Sequence, residues 1–138
     1  MTARDDAVAA VVPTAWGLVG VEVGSRGVRQ LRLPLSTERG AWDALGRPPV
    51  GRRVRPEALG DLARRLQAYF RGEPTAFTDV VDLDGVTVFQ RAVYGAARDV
   101  PCGQVSSYRD LAARTGYPGA ARAVGQALAR NQVCIIIP

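Results

Sequence analysis

The stretch Gly119-Ala-Ala-Arg-Ala-Val-Gly-Gln-Ala-Leu-Ala-Arg-Asn131 decides how the second half of this chain folds. Its apolar residues fall at helical spacing and predict one buried stripe: Ala120, Val124, Ala127 and Leu128. The opposite face carries small or polar residues: Arg122, Gly125, Gln126 and Ala129. Because glycine inside a helix costs about 1 kcal/mol relative to alanine, we expect Gly125 to have a packing or contact reason. The sequence therefore predicts a helix that can approach another surface closely, with Arg122 standing up from it.

The residues before this helix predict a second helix and a tight turn. Ser107-Tyr108-Arg109-Asp110 matches a capping box, so a short helix is expected to begin there and run through Thr115. Gly116-Tyr117-Pro118-Gly119 then forms a turn, which gives a helix-turn-helix pattern. A regulator that reads the major groove is one interpretation. It would need polar base-reading side chains along residues 120–129, where the exposed face is mostly alanine.

Residues 89–138 closely resemble the O6-alkylguanine-DNA alkyltransferases, also called methylated-DNA–protein-cysteine methyltransferases. The resemblance rests on Phe89-Gln90-Arg91-Ala92-Val93-Tyr94, Ala120-Ala121-Arg122-Ala123-Val124-Gly125, Asn131 and Ile135-Ile136-Ile137-Pro138. It implies an α/β, ribonuclease-H-like lobe at 1–85 and an all-α, winged-helix-like DNA-binding lobe at 86–138. It also implies DNA repair by alkyl transfer to a cysteine, double-stranded DNA containing O6-alkylguanine as the partner, and neither cofactor nor metal.

The resemblance assigns roles to several positions. Arg122 matches the residue that enters the base stack, Tyr108 the one that crowds the 3′ phosphate, and Asn131 the one that orients the active-site turn. The expected DNA-binding residues are Ser107, Tyr108, Ala120, Ala121, Arg122, Ala123, Gly125 and Gln126. Each also has an ordinary alternative: a surface arginine, a tyrosine packed on the core, helix packing for the small residues, or a helix C-cap for Asn131.

The alkyl-acceptor cysteine of the family follows the position of Pro138, in a Pro-Cys-His-Arg run. The 138 residues contain no histidine, and their two cysteines, Cys102 and Cys134, do not align with the acceptor. We therefore expect a C-terminally incomplete alkyltransferase that binds DNA weakly and accepts no alkyl group. The alternative is a non-catalytic alkyltransferase-like protein that binds lesions. The isoleucines at 135–137 are expected to need the missing tail for burial, which would leave the second lobe loosened.

Charge and composition fit such a partner. Residues 1–85 hold 12 Arg against 11 acidic residues, whereas residues 86–138 hold 6 Arg against 2. A basic module favours polyanion binding, and an ordinary solvated surface is the alternative explanation of a modest excess. The sequence has neither a signal-peptide core nor an apolar run long enough for a membrane helix. We expect a cytoplasmic monomer.

The first 85 residues are expected to contain three strands and one amphipathic helix. The strands are placed at 16–23, 28–33 and 77–83, with a hairpin loop at 24–27, and the helix at 56–71. Residues 1–13 are expected to be frayed, and 36–55 to be an irregular surface segment. A further capping box at Thr87 predicts a helix to about Arg98, with a stripe formed by Phe89, Val93, Ala96 and Val100.

Overall fold

A computed structural model describes residues 7–46, 51–101, 104 and 106–138. The chain divides into two compact units. The first comprises Met1–Asp82 and Gln132–Cys134, and the second comprises Leu83–Asn131 and Ile135–Pro138. None of the helices formed by the described residues is long and apolar enough to cross a bilayer.

The first unit contains a four-stranded sheet. Its strands are β1 (Val8–Thr14), β2 (Gly17–Gly24), β3 (Gly27–Leu31) and β4 (Arg52–Arg53), in the order β3-β2-β1-β4. The β2–β3 hairpin confirms the predicted strand pair. The expectation of a frayed start is wrong for β1, which pairs with β2 on one side and β4 on the other. The first six residues of that expectation lie outside the described residues. Ala9, Ala10 and Val12 are all buried, as in a central strand covered on both faces.

Two helical segments and one expected strand of the first unit differ from the predictions. Residues 36–55 contain helix α1 (Glu38–Ala44), capped by Thr37, whose Oγ1 accepts a hydrogen bond from the Gly40 N–H at 3.0 Å. The helix expected at 56–71 is a 3-10 turn at Pro56–Leu59 followed by α2 (Asp61–Phe70), because Gly60 has φ 62 and breaks the run. The strand expected at 77–83 is reduced to an isolated bridge between Val28 and Val81.

The described part of the second unit is helical. Its elements are α3 (Val88–Arg98), α4 (Tyr108–Arg114) and α5 (Ala121–Ala129). The predicted capping box is present at Thr87, with reciprocal bonds to Gln90 at 3.0 Å. Ser107 caps α4 by accepting from the Asp110 N–H at 3.0 Å. Gly116 and Gly119 have φ of 86 and 89, a conformation that glycine adopts without strain, so the turn between α4 and α5 forms where it was predicted.

A buried hydrogen bond joins α3 to α5. The Tyr94 hydroxyl donates to the Ala127 carbonyl at 2.7 Å. The buried residues of α3 are Val93, Tyr94 and Ala97. Of the four residues predicted to be buried on this helix, only Val93 is among them, so the buried face is rotated from the predicted one. Burial raises the pKa of the Tyr94 phenol, and the charge of Arg130 opposes this only in part. The folded unit therefore favours the neutral, hydrogen-bonded phenol.

We expect Tyr94→Phe to lower the free energy of unfolding by about 1 kcal/mol at neutral pH, because Ala127 loses its buried donor. A raised folded-state pKa adds stability that is complete below the unfolded value of about 10 and is lost as pH rises through the folded value. Above about pH 10, the wild-type chain should therefore lose stability more steeply with rising pH than Tyr94→Phe does. Urea denaturation across the alkaline range measures both effects.

Tyr117→Phe is the matched control, since its ring stays in place against Phe89 and its side chain is exposed. It should leave the stability at neutral pH nearly unchanged. Equal alkaline losses in the wild-type chain and Tyr94→Phe would contradict the role given to the buried phenol.

Candidate nucleic-acid interface

Helix α5 buries one face and exposes the other. Val124 and Ala127 are buried, and Ala120 and Leu128 are half-buried, so the predicted stripe is confirmed with Leu128 nearer its edge. The exposed residues are Arg122, Ala123, Gln126 and Ala129. Ala121 and Gly125 are half-buried. Apart from Arg122 and Gln126, the exposed face of this helix therefore carries only alanine and glycine, whose side chains project little from the backbone.

Arg122 stands in the first turn of α5 and is exposed. Within the ranges that the structure describes, its guanidinium has neither an ion-pair partner nor a hydrogen bond. All its donors are therefore available to a ligand. Its planar group can stack on a ring and donate hydrogen bonds at the same time, which an ammonium cannot do.

Tyr108 lies beside this face of α5. Tyr108 is the first residue of α4, and its side chain is 53% exposed. A methyl group placed on Gly125 would lie 2.9 Å from the Tyr108 Cε2 atom. The structure therefore brings Tyr108 and Gly125 together, while the Ser107 hydroxyl is occupied as the cap of α4.

Asn131 follows α5, and its side chain is hydrogen-bonded to the backbone near residue 138. Its Nδ2 atom donates to the Ile137 carbonyl at 2.7 Å. Ile136 and Ile137 are 3% and 1% exposed, so the expectation that they need further residues for burial is wrong. Ile135 is half-buried and has φ 74, which is uncommon for a β-branched residue.

Cys134 is a free, half-buried thiol. It belongs to the first unit, where its N–H donates to the Leu31 carbonyl at 2.9 Å. Cys102 lies outside the described residues. Over the residues that the structure does describe, no group of three or more His, Cys, Asp or Glu side chains is arranged to hold a metal ion.

The second unit exposes positive charge on several elements. Its exposed arginines are Arg91, Arg109, Arg114, Arg122 and Arg130. Three of them, at 109, 114 and 122, lie on the two helices of the helix-turn-helix pair. This distribution favours a polyanionic ligand for α4 and α5.

Tyr94 is a supporting residue that the sequence reasoning did not assign to the interface. Its hydroxyl holds a carbonyl in the last turn of α5. The available signal was a polar-tipped aromatic residue next to Val93 in the apolar stripe, since a buried tyrosine hydroxyl normally has a hydrogen-bond partner.

Comparisons with known proteins agree with this geometry. Residues 88–138 match the family model described as "6-O-methylguanine DNA methyltransferase, DNA binding domain". The methylated-DNA–protein-cysteine methyltransferase of Salmonella typhimurium is 44% identical over 86 residues, covering 62% of this chain and 50% of that protein. The protein of the same name from Mycobacterium leprae is 46% identical over 81 residues, covering 59% and 48%. The chain spans about half the length of the curated relatives it matches.

Solved structures resemble the chain over most of its length. The crystal structure of Mycobacterium tuberculosis O6-methylguanine methyltransferase has a TM-score of 0.74 and 31% identity, covering 96% of this chain and 75% of that one. A second structure, Mycobacterium tuberculosis OGT in complex with DNA, has a TM-score of 0.73 and 31% identity, with coverage of 95% and 74%. With the alanine-lined α5, its exposed Arg122 and the adjacent Tyr108 in view, these matches show that the chain belongs to the O6-methylguanine-DNA methyltransferase family.

Proposed function

We propose that this chain is part of a DNA-repair protein that removes an alkyl group from O6 of guanine in double-stranded DNA and transfers it to a protein cysteine, and that these 138 residues supply the binding of DNA and the extrusion of the base. The observation that carries the proposal is the exposed face of α5, on which the Arg122 guanidinium projects among alanines without a partner in the described part of the chain. The names of the relatives support the same reaction. A monomer acting in the cytoplasm, with no cofactor, is part of the proposal.

Helix α5 is proposed to enter the minor groove. Small side chains allow a backbone to approach the floor of that groove, as minor-groove proteins require. The O6 atom of a stacked guanine is out of reach of a protein nucleophile, so the nucleotide has to leave the stack first. Arg122 would take its place between the neighbouring bases and donate hydrogen bonds to the base left behind. Tyr108, at the edge of the same face, would press against the adjacent phosphate. Ser107, Ala120, Ala121, Ala123 and Gln126 complete the proposed contact surface.

Alkyl transfer needs a thiolate. Its sulfur forms a bond to the alkyl carbon as the carbon–O6 bond breaks, and guanine leaves with the electron pair and gains a proton. The thioether remains on the protein, so each molecule reacts once. Asn131 is proposed to hold the turn that presents this thiolate, through its bond to the Ile137 carbonyl. The acceptor itself is proposed to be the cysteine that follows Pro138 in the family pattern.

The proposal also covers the fold type of each lobe. The first lobe, 1–85, is proposed to be ribonuclease-H-like, and the second, 86–138, to be a winged-helix-like DNA-binding lobe. Both assignments rest on the resemblance, together with the mixed sheet of the first unit and the helices of the second.

We expect Arg122→Ala to reduce the preference for a duplex containing O6-methylguanine over an undamaged duplex by about tenfold. A stacking contact on a base contributes about 1–3 kcal/mol, and 1.4 kcal/mol corresponds to a factor of ten. Fluorescence of 2-aminopurine placed beside the lesion measures extrusion, and titration with both duplexes measures the preference.

Two variants separate stacking from charge. Arg122→Lys keeps the charge but lacks the planar group, so it should bind undamaged DNA normally and still extrude the base poorly. Arg114→Ala removes one exposed arginine of α4 and should weaken both duplexes alike, with a smaller salt dependence of binding. The base-extrusion role fails if Arg122→Ala keeps the full lesion preference and the full fluorescence change.

The 138-residue chain is not expected to accept a methyl group. Neither of its cysteines stands in a Pro-Cys-His-Arg run, and it has no histidine that could act as a base toward a thiol. Incubation with duplex carrying O6-[3H]methylguanine should leave no stoichiometric label on the protein. Stoichiometric label that disappears in Cys134→Ser or Cys102→Ser would identify that residue as an acceptor and overturn this part of the proposal.

A further inference from the structure

Among the residues that the structure describes, the nearest neighbour of Gly125 outside its own helix is Tyr108. A Cβ atom built on it would meet the Tyr108 ring at 2.9 Å from Cε2, 3.2 Å from Cδ2 and 3.7 Å from Cζ. These are the three nearest atoms, and all of them belong to one side chain. Distances under 3.0 Å are not tolerated by real side chains, so any residue larger than glycine at this position has to displace the ring.

The backbone of α5 does not itself require glycine at this position. Gly125 lies in the interior of the helix and is not among the residues with positive φ. Glycine weakens a helix interior relative to alanine, so the choice runs against local propensity. Gly95 of α3 is a useful contrast, because a Cβ added there would meet nothing within 4 Å.

Both helices are held by buried side chains, whereas much of the Tyr108 ring faces solvent. Leu111 and Ala112 are buried in α4, and Val124 and Ala127 are buried in α5. Tyr108 is nevertheless about half exposed. The ring therefore rests on α5 at Gly125 while about half of its surface faces solvent. Gly125 stands three residues after Arg122, a separation that places two residues on neighbouring parts of one helix face.

We propose that Gly125 is a positioning residue for Tyr108. The missing side chain lets the tyrosine ring rest against α5 beside Arg122, so that both groups address the same nucleotide. This inference rests on the proposed function. It explains the glycine by a contact inside the protein, with the Tyr108 ring. The alternative cause is direct contact, in which a methyl group at position 125 collides with the floor of the groove.

Gly125→Ala tests the inference, with Gly95→Ala as the matched control. Both changes replace a helix-interior glycine by alanine, so the denaturation midpoint should rise in Gly95→Ala and should not fall in Gly125→Ala, because an exposed ring can swing aside. Lesion-duplex affinity should fall about tenfold in Gly125→Ala alone. In protein labelled with 3-fluorotyrosine, the 19F resonance assigned to Tyr108 by its loss in Tyr108→Phe should shift in Gly125→Ala and stay in place in Gly95→Ala.

A double-mutant cycle with Tyr108→Ala separates the two causes. If Gly125 acts through the ring, Gly125→Ala should have no further effect on lesion binding once the ring is gone. If the added methyl group collides with DNA, its loss of affinity should persist and add to that of Tyr108→Ala, and the inference is overturned. Should Gly125→Ala unfold the protein, Tyr108→Ala must restore folding; failure to do so also overturns it.

The outcomes also distinguish this inference from the proposed function. The 19F measurement contains no DNA, so an unmoved Tyr108 resonance in Gly125→Ala refutes the positioning role alone. Unchanged lesion binding in both Arg122→Ala and Tyr108→Ala would instead refute the proposed function, whatever the resonance does.

Discussion

The rotation of α5 about its own axis is the constraint on which the interface depends. Burial of Val124 and Ala127 turns one side of the helix inward, and the Tyr94 hydroxyl holds the last turn through the Ala127 carbonyl. A helix repeats every 3.6 residues, so fixing these positions also fixes which residues point outward. Arg122 is exposed because Val124 is buried, and a small rotation would bring it toward the core. The interface is thus a consequence of packing on its opposite side.

Helix boundaries in the second unit were readable from the sequence because local chemistry sets them. Thr87 and Ser107 cap their helices with their own hydroxyl groups, and Gly116 takes the positive φ at which α4 ends. None of these signals depends on distant parts of the chain. The facing of α3 was less readable, because which of several apolar residues is buried depends on the helices that pack against it. That is why Tyr94 was missed.

Long-range pairing accounts for the errors in the first unit. Strand β1 was taken for a frayed start because a central strand shows a continuous apolar run instead of alternation. The segment around Val81 looked like a strand, but among the described residues it forms an isolated bridge to Val28. Of the candidate interface, the face of α5 was predictable from spacing, whereas the contact between Tyr108 and Gly125 required coordinates. Sequence spacing gives directions along one helix and says nothing about the distance to the next.

Ile135 carries two incompatible demands. Its φ of 74 suits glycine, which has no Cβ, or asparagine, whose short polar side chain tolerates the left-handed region, and it disfavours a branched Cβ. Its half-buried position, next to the buried Ile136 and Ile137, rewards an apolar side chain. Glycine or asparagine would relieve the backbone conformation but give up apolar contact, whereas valine would keep the branched Cβ and lose apolar area. Substitutions that relieve the backbone at this turn should therefore add little net stability, because the burial they lose offsets the conformational gain.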